Sequence, residues 1–167
     1  QESTIQYLKD CYENGTPVTD AIHQTMCKLF YSYIVVGGMP DVVQTYVNTH
    51  DIAQVIARQT EILELYRIDI SQYAQGNDKM KIRAIFDSIP AQLNEKNRRF
   101  ILTAINPKGR QERYADSFNW LADAGVALPC YNVEAPQPPL RLNEKHNLFK
   151  LFMGDTGLLC AACMENV

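Results

Sequence analysis

Residues 111–133 read QERYADSFNWLADAGVALPCYNV, and the apolar period changes inside this stretch. Tyr114, Phe118 and Leu121 recur at helical spacing, with Trp120 in the same register, so all four are expected in a core. Gly125 is the residue type that most readily closes a helix in the left-handed conformation. Val126 to Val133 is then rich in β-branched and aromatic residues, the composition of a strand. The spacing predicts a helix from about Gln111 to Ala124 that passes directly into a strand.

The flanking sequence extends that junction in both directions. Downstream, Pro136 to Pro139 forms a proline-rich loop and Leu148 to Met153 reads as a second short strand, which together make a two-stranded ribbon. Upstream, Asn106-Pro107-Lys108-Gly109 is a turn, and RRFILTAI (98–105) reads as a short helix after the turn residues Asn94 to Asn97. Before it, Ile82, Ile85, Phe86, Ile89 and Leu93 mark an amphipathic helix that Pro90 should interrupt or end. Three helices ahead of a ribbon is the order of a winged helix-turn-helix.

In that fold the last helix reaches DNA through its N-terminal part and the ribbon touches the adjacent backbone. The DNA-binding candidates are therefore Arg98, Arg99, Lys108, Arg110, Gln111, Arg113 and Ser117, with Arg110, Gln111, Arg113 and Ser117 expected on the solvent side. Arg110 and Arg113 suit phosphate or guanine, Gln111 suits adenine, and Arg98 and Arg99 suit the backbone. Nine basic residues and four acids fall between Asp78 and Arg113, although the whole chain is formally at −3. Against DNA stand Glu112, Asp116 and Asp123 on the same helix, and a wing whose only cation is Arg141. The competing class is a packing or coupling block, because a fold of this kind does not settle function.

From Thr16 to about Tyr73 the sequence reads as a succession of helices. Thr16-Pro17 is a helix start, and Ile22, Met26, Leu29, Phe30 and Tyr33 form one apolar face. Gly37 and Gly38 stop that helix, and Pro40 fits the first turn of the next. Gly37, Gly38 and Pro40 are accordingly hinge candidates at a tight corner. Asp51 should cap a long helix to about Tyr73, with Ile52, Val55, Ile56, Ile62, Leu63, Tyr66, Ile70 and Tyr73 facing inward. Gln75 to Asp78 is a polar break and the best domain boundary.

Composition narrows the function classes. No apolar run approaches the ~20 residues of a membrane span, and no secretory leader opens the chain, so a soluble, cytoplasmic protein with no membrane partner is expected. The chain begins at Gln1 and reads as a piece of a longer protein. An odd set of five cysteines favours reduced thiols, and Cys160-Ala-Ala-Cys163 lacks the strand context of a redox motif. His23, His50 and His146 are scattered, so neither a metal site nor a catalytic group is expected. No G-x-x-x-x-G-K-[ST] string is present, so the Gly37-Gly38 pair is not a phosphate loop.

The succession GGMPDVVQTYV, EILELYRIDISQYA, KIRAIFDSIPAQLN, YADSFNWLADAGVALPCYNVEAPQPPL and FKLFMGDTGLL resembles the C-terminal region of the predicted bacterial and archaeal AAA+-like ATPases, from about Ile22 onward. The resemblance implies an upstream P-loop domain that binds ATP and magnesium, a helical lid and winged helix here, and in many members a nuclease-like fold downstream. The missing ATPase domain and that nuclease-like domain are the implied partners, with DNA as a further one. Pro40-Asp41 echoes half of a nuclease motif but opens a helix. Arg67 and Asp69 are candidates for contact with the ATPase core or for an internal ion pair.

The expected architecture is mainly α. A helical lid-like bundle (1–75) precedes a winged helix-turn-helix with a short ribbon (78–160), and 161–167 begins a truncated continuation. The expected function is non-catalytic: coupling nucleotide-driven movement to a partner or downstream domain, with duplex DNA binding as the alternative.

Overall fold

The structure, a computed structural model, describes residues 2–74 and 78–165. The chain is mainly helical with one small antiparallel sheet, and it divides into two compact units, residues 1–35 and 36–167.

The first unit contains α1 (Glu2–Asn14), which periodicity did not mark, and nearly all of α2 (Asp20–Val36). The α2 ladder opens where the Thr19 carbonyl accepts from the His23 amide at 2.9 Å. Thr16-Pro17 therefore precedes the helix rather than starting it, and the Thr19 amide donates to the Tyr7 hydroxyl at 3.1 Å. The apolar face expected on α2 is only partly covered: Leu29, Phe30 and Tyr33 are exposed.

In the second unit, α3 (Pro40–Thr49) carries Pro40 at its start and ends on His50 at φ 53, whose amide donates to the Tyr46 carbonyl. Asp51 then caps α4 (Ile52–Tyr73), its Oδ1 accepting from the Ala53 amide at 2.8 Å. Val55, Leu63 and Ile70 are buried as expected. The two ends of the expected stripe, Ile52 and Tyr73, are exposed. Residues 75–77, the centre of the expected boundary, lie outside the described residues. On either side of them, Leu63 and Ile70 of α4, with Ala74 just beyond its end, share one core with Ile82, Ile85, Phe86 and Ile89 of α5 (Asp78–Asn94). α5 runs through Pro90 to Asn94. Proline removes one ladder donor, and here the ring is buried in the core-facing row.

The segment 98–105 is where the helix expectation fails. Only Leu102–Ala104 forms a single 3-10 turn, and Arg98 sits at φ 52. The reason lies in a side chain: the buried Gln92 amide accepts from the Ile101 N–H at 2.7 Å and donates to the Ile101 carbonyl at 3.0 Å. Next to it, the Phe100 amide donates to the Phe149 carbonyl at 2.9 Å. These bonds satisfy an extended backbone and remove the advantage of a helix.

A second 3-10 turn, Gln111–Arg113, precedes α6 (Ala115–Asp123), so the last helix starts later than its sequence suggests. Its end is as read. Gly125 lies at φ +69, its amide bonds the Ala122 carbonyl, and the Val126 amide bonds the Leu121 carbonyl, the paired bonds of a Schellman cap.

The cap delivers the chain into β1 (Ala127–Val133), antiparallel to β2 (Glu144–Met153), with an irregularity between Tyr131 and Asn132. β2 begins four residues before the expected Leu148. Because the Phe149 carbonyl faces Phe100, the Tyr131–Phe149 pair points its backbone groups away from the ladder. Pro129, two residues before Tyr131 and opposite Leu151, then turns its missing N–H to the outer edge of β1. The inward face of the ribbon packs Phe149 against Phe100 and Phe118, with ring centroids 5.2–5.6 Å apart. Finally α7 (Thr156–Met164) packs on α4 and α5 through Leu158, Ala161 and Ala162. Ala161 and Ala162, expected to open a continuation, thus belong to this core, while residues 166–167 lie outside the described residues.

Candidate functional site

The Gly37-Gly38 corner is held by residues more than a hundred positions away. The Gly38 amide donates to Asp155 Oδ2 at 2.6 Å, and Asp155 Oδ1 accepts from the Leu158 amide at 3.0 Å. One carboxylate therefore clasps the corner and caps α7 together. Gly37 is buried at φ +75, and a Cβ there would collide with the Asp155 carboxylate. The buried Gln59 of α4 donates to the Val36 carbonyl at 3.0 Å, which fixes the last residue of α2. Gly157 completes the arrangement, since a Cβ at that position would strike Gln59 Nε2 and the Val36 carbonyl. Pro40 begins α3 immediately beyond. The hinge candidates are thus brought together in a latched corner.

Tyr66 lies under this corner's electrostatic influence. Burial raises its phenol pKa, and the Asp155 and Asp69 carboxylates raise it further. Burial also pushes the Cys160 thiol up, with Cys163 and Asp155 adding to the effect, which disfavours the thiolate that redox or metal chemistry would need.

Arg67 and Asp69 separate. Arg67 reaches Glu64 at 2.5 Å, Asp87 at 3.0 Å and Glu165 at 2.8 Å, and its guanidinium lies 5.9 Å from the Phe86 ring centre. It ties α4 to α5 and to the end of α7, and its pKa is raised by the Glu165 hydrogen bond above all. Asp69 is exposed and takes no part in this cluster.

The nucleic-acid candidates also divide. Arg98, Arg99, Lys108, Arg110 and Arg113 are exposed, and none enters an ion pair among the described residues. Arg99 and Gln111 line one groove beside Phe149, but the Gln111 amide donates to the His146 carbonyl. Ser117, expected on the solvent side, is 1% exposed, because it shares the inward face of α6 with Tyr114, Phe118 and Leu121. Of the side chains expected at DNA, Ser117 is therefore buried, and Gln111 and Arg99 are each engaged by a backbone carbonyl, Arg99 donating to that of Asn147.

Sequence reasoning missed Asp155, Gln59 and Gly157. The signal for Asp155 was local: an acid flanked by glycines, Gly154-Asp155-Thr156-Gly157, directly ahead of an apolar helix. Among the described residues no cluster of three or more His, Cys, Asp or Glu is arranged to hold a metal, and no helix is long and apolar enough to cross a membrane.

These features define a mainly helical module with one ribbon, organised round a latched glycine corner. The chain belongs to the family whose model is described as a domain of unknown function, DUF8612, which matches residues 27–166. No curated protein and no solved structure matches it.

Proposed function

We propose that this chain is the non-catalytic coupling portion of a larger AAA+-like ATPase, transmitting nucleotide-driven movement to a partner or downstream domain. ATP and magnesium belong to the parent's P-loop domain in this reading. The observation that supports it is the bond from the Gly38 amide to Asp155, which links positions 117 residues apart at the end of a long helix. In this reading, movement of the Val36–Gly38 corner passes to α4 through Gln59 and to α7 through Asp155. The test is Gly37→Ala and Asp155→Asn in the full-length protein, with ATP turnover and partner capture measured side by side. The expected result is capture that no longer follows turnover; unchanged behaviour in both assays defeats the proposal.

A second reading, contact with duplex DNA, is favoured by exposed Arg98, Arg99, Lys108, Arg110 and Arg113, which form no ion pair among the described residues. With Gln111 engaged and Ser117 buried, such contact would be to phosphates and would carry little sequence preference. Binding that weakens steeply with salt and is lost in Arg110→Ala/Arg113→Ala supports it, and no mobility shift at low salt removes it.

A further inference from the structure

The outer face of the ribbon takes no part in the clasp. Leu128 stands opposite Phe152 and Cys130 opposite Lys150, all on the side away from the core. Leu128 is 51% exposed and Phe152 37%. A groove of about 350 Å³ crosses this face from Arg99 past Leu148 and Asn132 to Lys150. No carboxylate lines it. Arg99 spends one N–H on the Asn147 carbonyl at 3.2 Å, and among the described residues neither Arg99 nor Lys150 is in an ion pair. The face thus combines exposed apolar side chains with two cations that lack counter-charges, a combination that marks an interaction surface.

We propose that this face binds an extended peptide segment of a partner protein in which carboxylates alternate with apolar side chains. Arg99 presents a fork suited to one carboxylate and Lys150 a point charge suited to another. Leu148 lies in the groove with them, and Leu128 and Phe152 stand further along the same face of the ribbon. Charge complementarity selects the occupant: two cations are enough for an acidic peptide, whereas a nucleic-acid duplex needs several neutralised phosphates and gains nothing from exposed leucine and phenylalanine. The inference does not depend on the coupling reading, since it uses none of the residues of the glycine corner.

The test is selection of a random peptide library displayed on phage against the intact protein. Recovered peptides are then measured by fluorescence anisotropy. Acidic, apolar peptides are expected to be enriched. Lys150→Glu should weaken them about tenfold or more, as reversal of an interfacial charge does, while Lys150→Arg retains binding and Arg113→Ala leaves it unchanged. Phe152→Ser should weaken binding without abolishing the charge dependence. Lys150 is exposed and makes no ion pair among the described residues, so thermal melts of its variants should match the parent and separate lost binding from lost folding. A library without binders, enrichment of basic peptides, binding indifferent to Lys150→Glu, or displacement of the peptide by labelled duplex with the same Lys150 dependence would each overturn the proposal.

Discussion

The clasp makes a quantitative prediction through a double-mutant cycle. Asp155→Ala removes the α7 cap, worth about 1 kcal/mol, and the charge-assisted bond from the Gly38 amide, worth about 1 kcal/mol at an exposed position where water can replace it. The expected loss is about 2 kcal/mol. Gly37→Ala incurs about 1–2 kcal/mol for a side chain in the left-handed region, and its Cβ also displaces the Asp155 carboxylate, so the clasp is lost as well. That variant should lose about 3–4 kcal/mol. With Asp155 already truncated, the added Cβ meets no carboxylate and only the backbone strain remains. The double variant should therefore lose about 3–4 kcal/mol, where simple addition gives about 5–6, a coupling of about 2 kcal/mol. Urea unfolding followed by circular dichroism and by Trp120 fluorescence measures all four corners of the cycle. Additivity within about 0.5 kcal/mol would show that Gly37 and Asp155 do not act through one contact, and the account of the corner would fail.

Two further outcomes follow from single side chains. Gln92→Leu leaves the Ile101 N–H and carbonyl without partners, so stability should fall by about 2 kcal/mol and hydrogen exchange at the Ile101 amide should accelerate; an equally protected amide would show that the extended segment has another cause. Tyr66 has a raised pKa in the folded state, so its contribution is complete below the unfolded value of about 10 and is lost as pH rises through the folded value. Urea midpoints should accordingly fall on the alkaline side of pH 10, and Tyr66→Phe should flatten that fall, whereas an identical alkaline slope in the variant would remove Tyr66 as its source.

Elements whose signals are local could be read from the sequence. Pro40 at the start of α3, Asp51 capping α4 and Gly125 closing α6 each act within a turn of their own position, and each stands where the spacing put it. The segment 98–105 could not be read this way. Its composition permits a short helix, and it is the Gln92 amide and the Phe149 carbonyl, brought in by tertiary packing, that satisfy its backbone in extended form. Ser117 shows a different failure: its spacing from Tyr114 and Leu121 places it inward, and its hydroxyl suggested the opposite. Half of the candidate site was visible as Gly37-Gly38. The other half, Asp155 with Gln59 and Gly157, joins it only through contacts remote in sequence, which no periodicity encodes.

Pro129 and Phe100 together decide how this protein can be joined to others. Pro129 leaves the free border of β1 short of a donor beside an irregular step, and Phe100 already occupies the far border of β2. A neighbouring chain therefore finds no continuous row of backbone groups on which to add a strand, and the ribbon is a poor template for fibre growth or strand exchange.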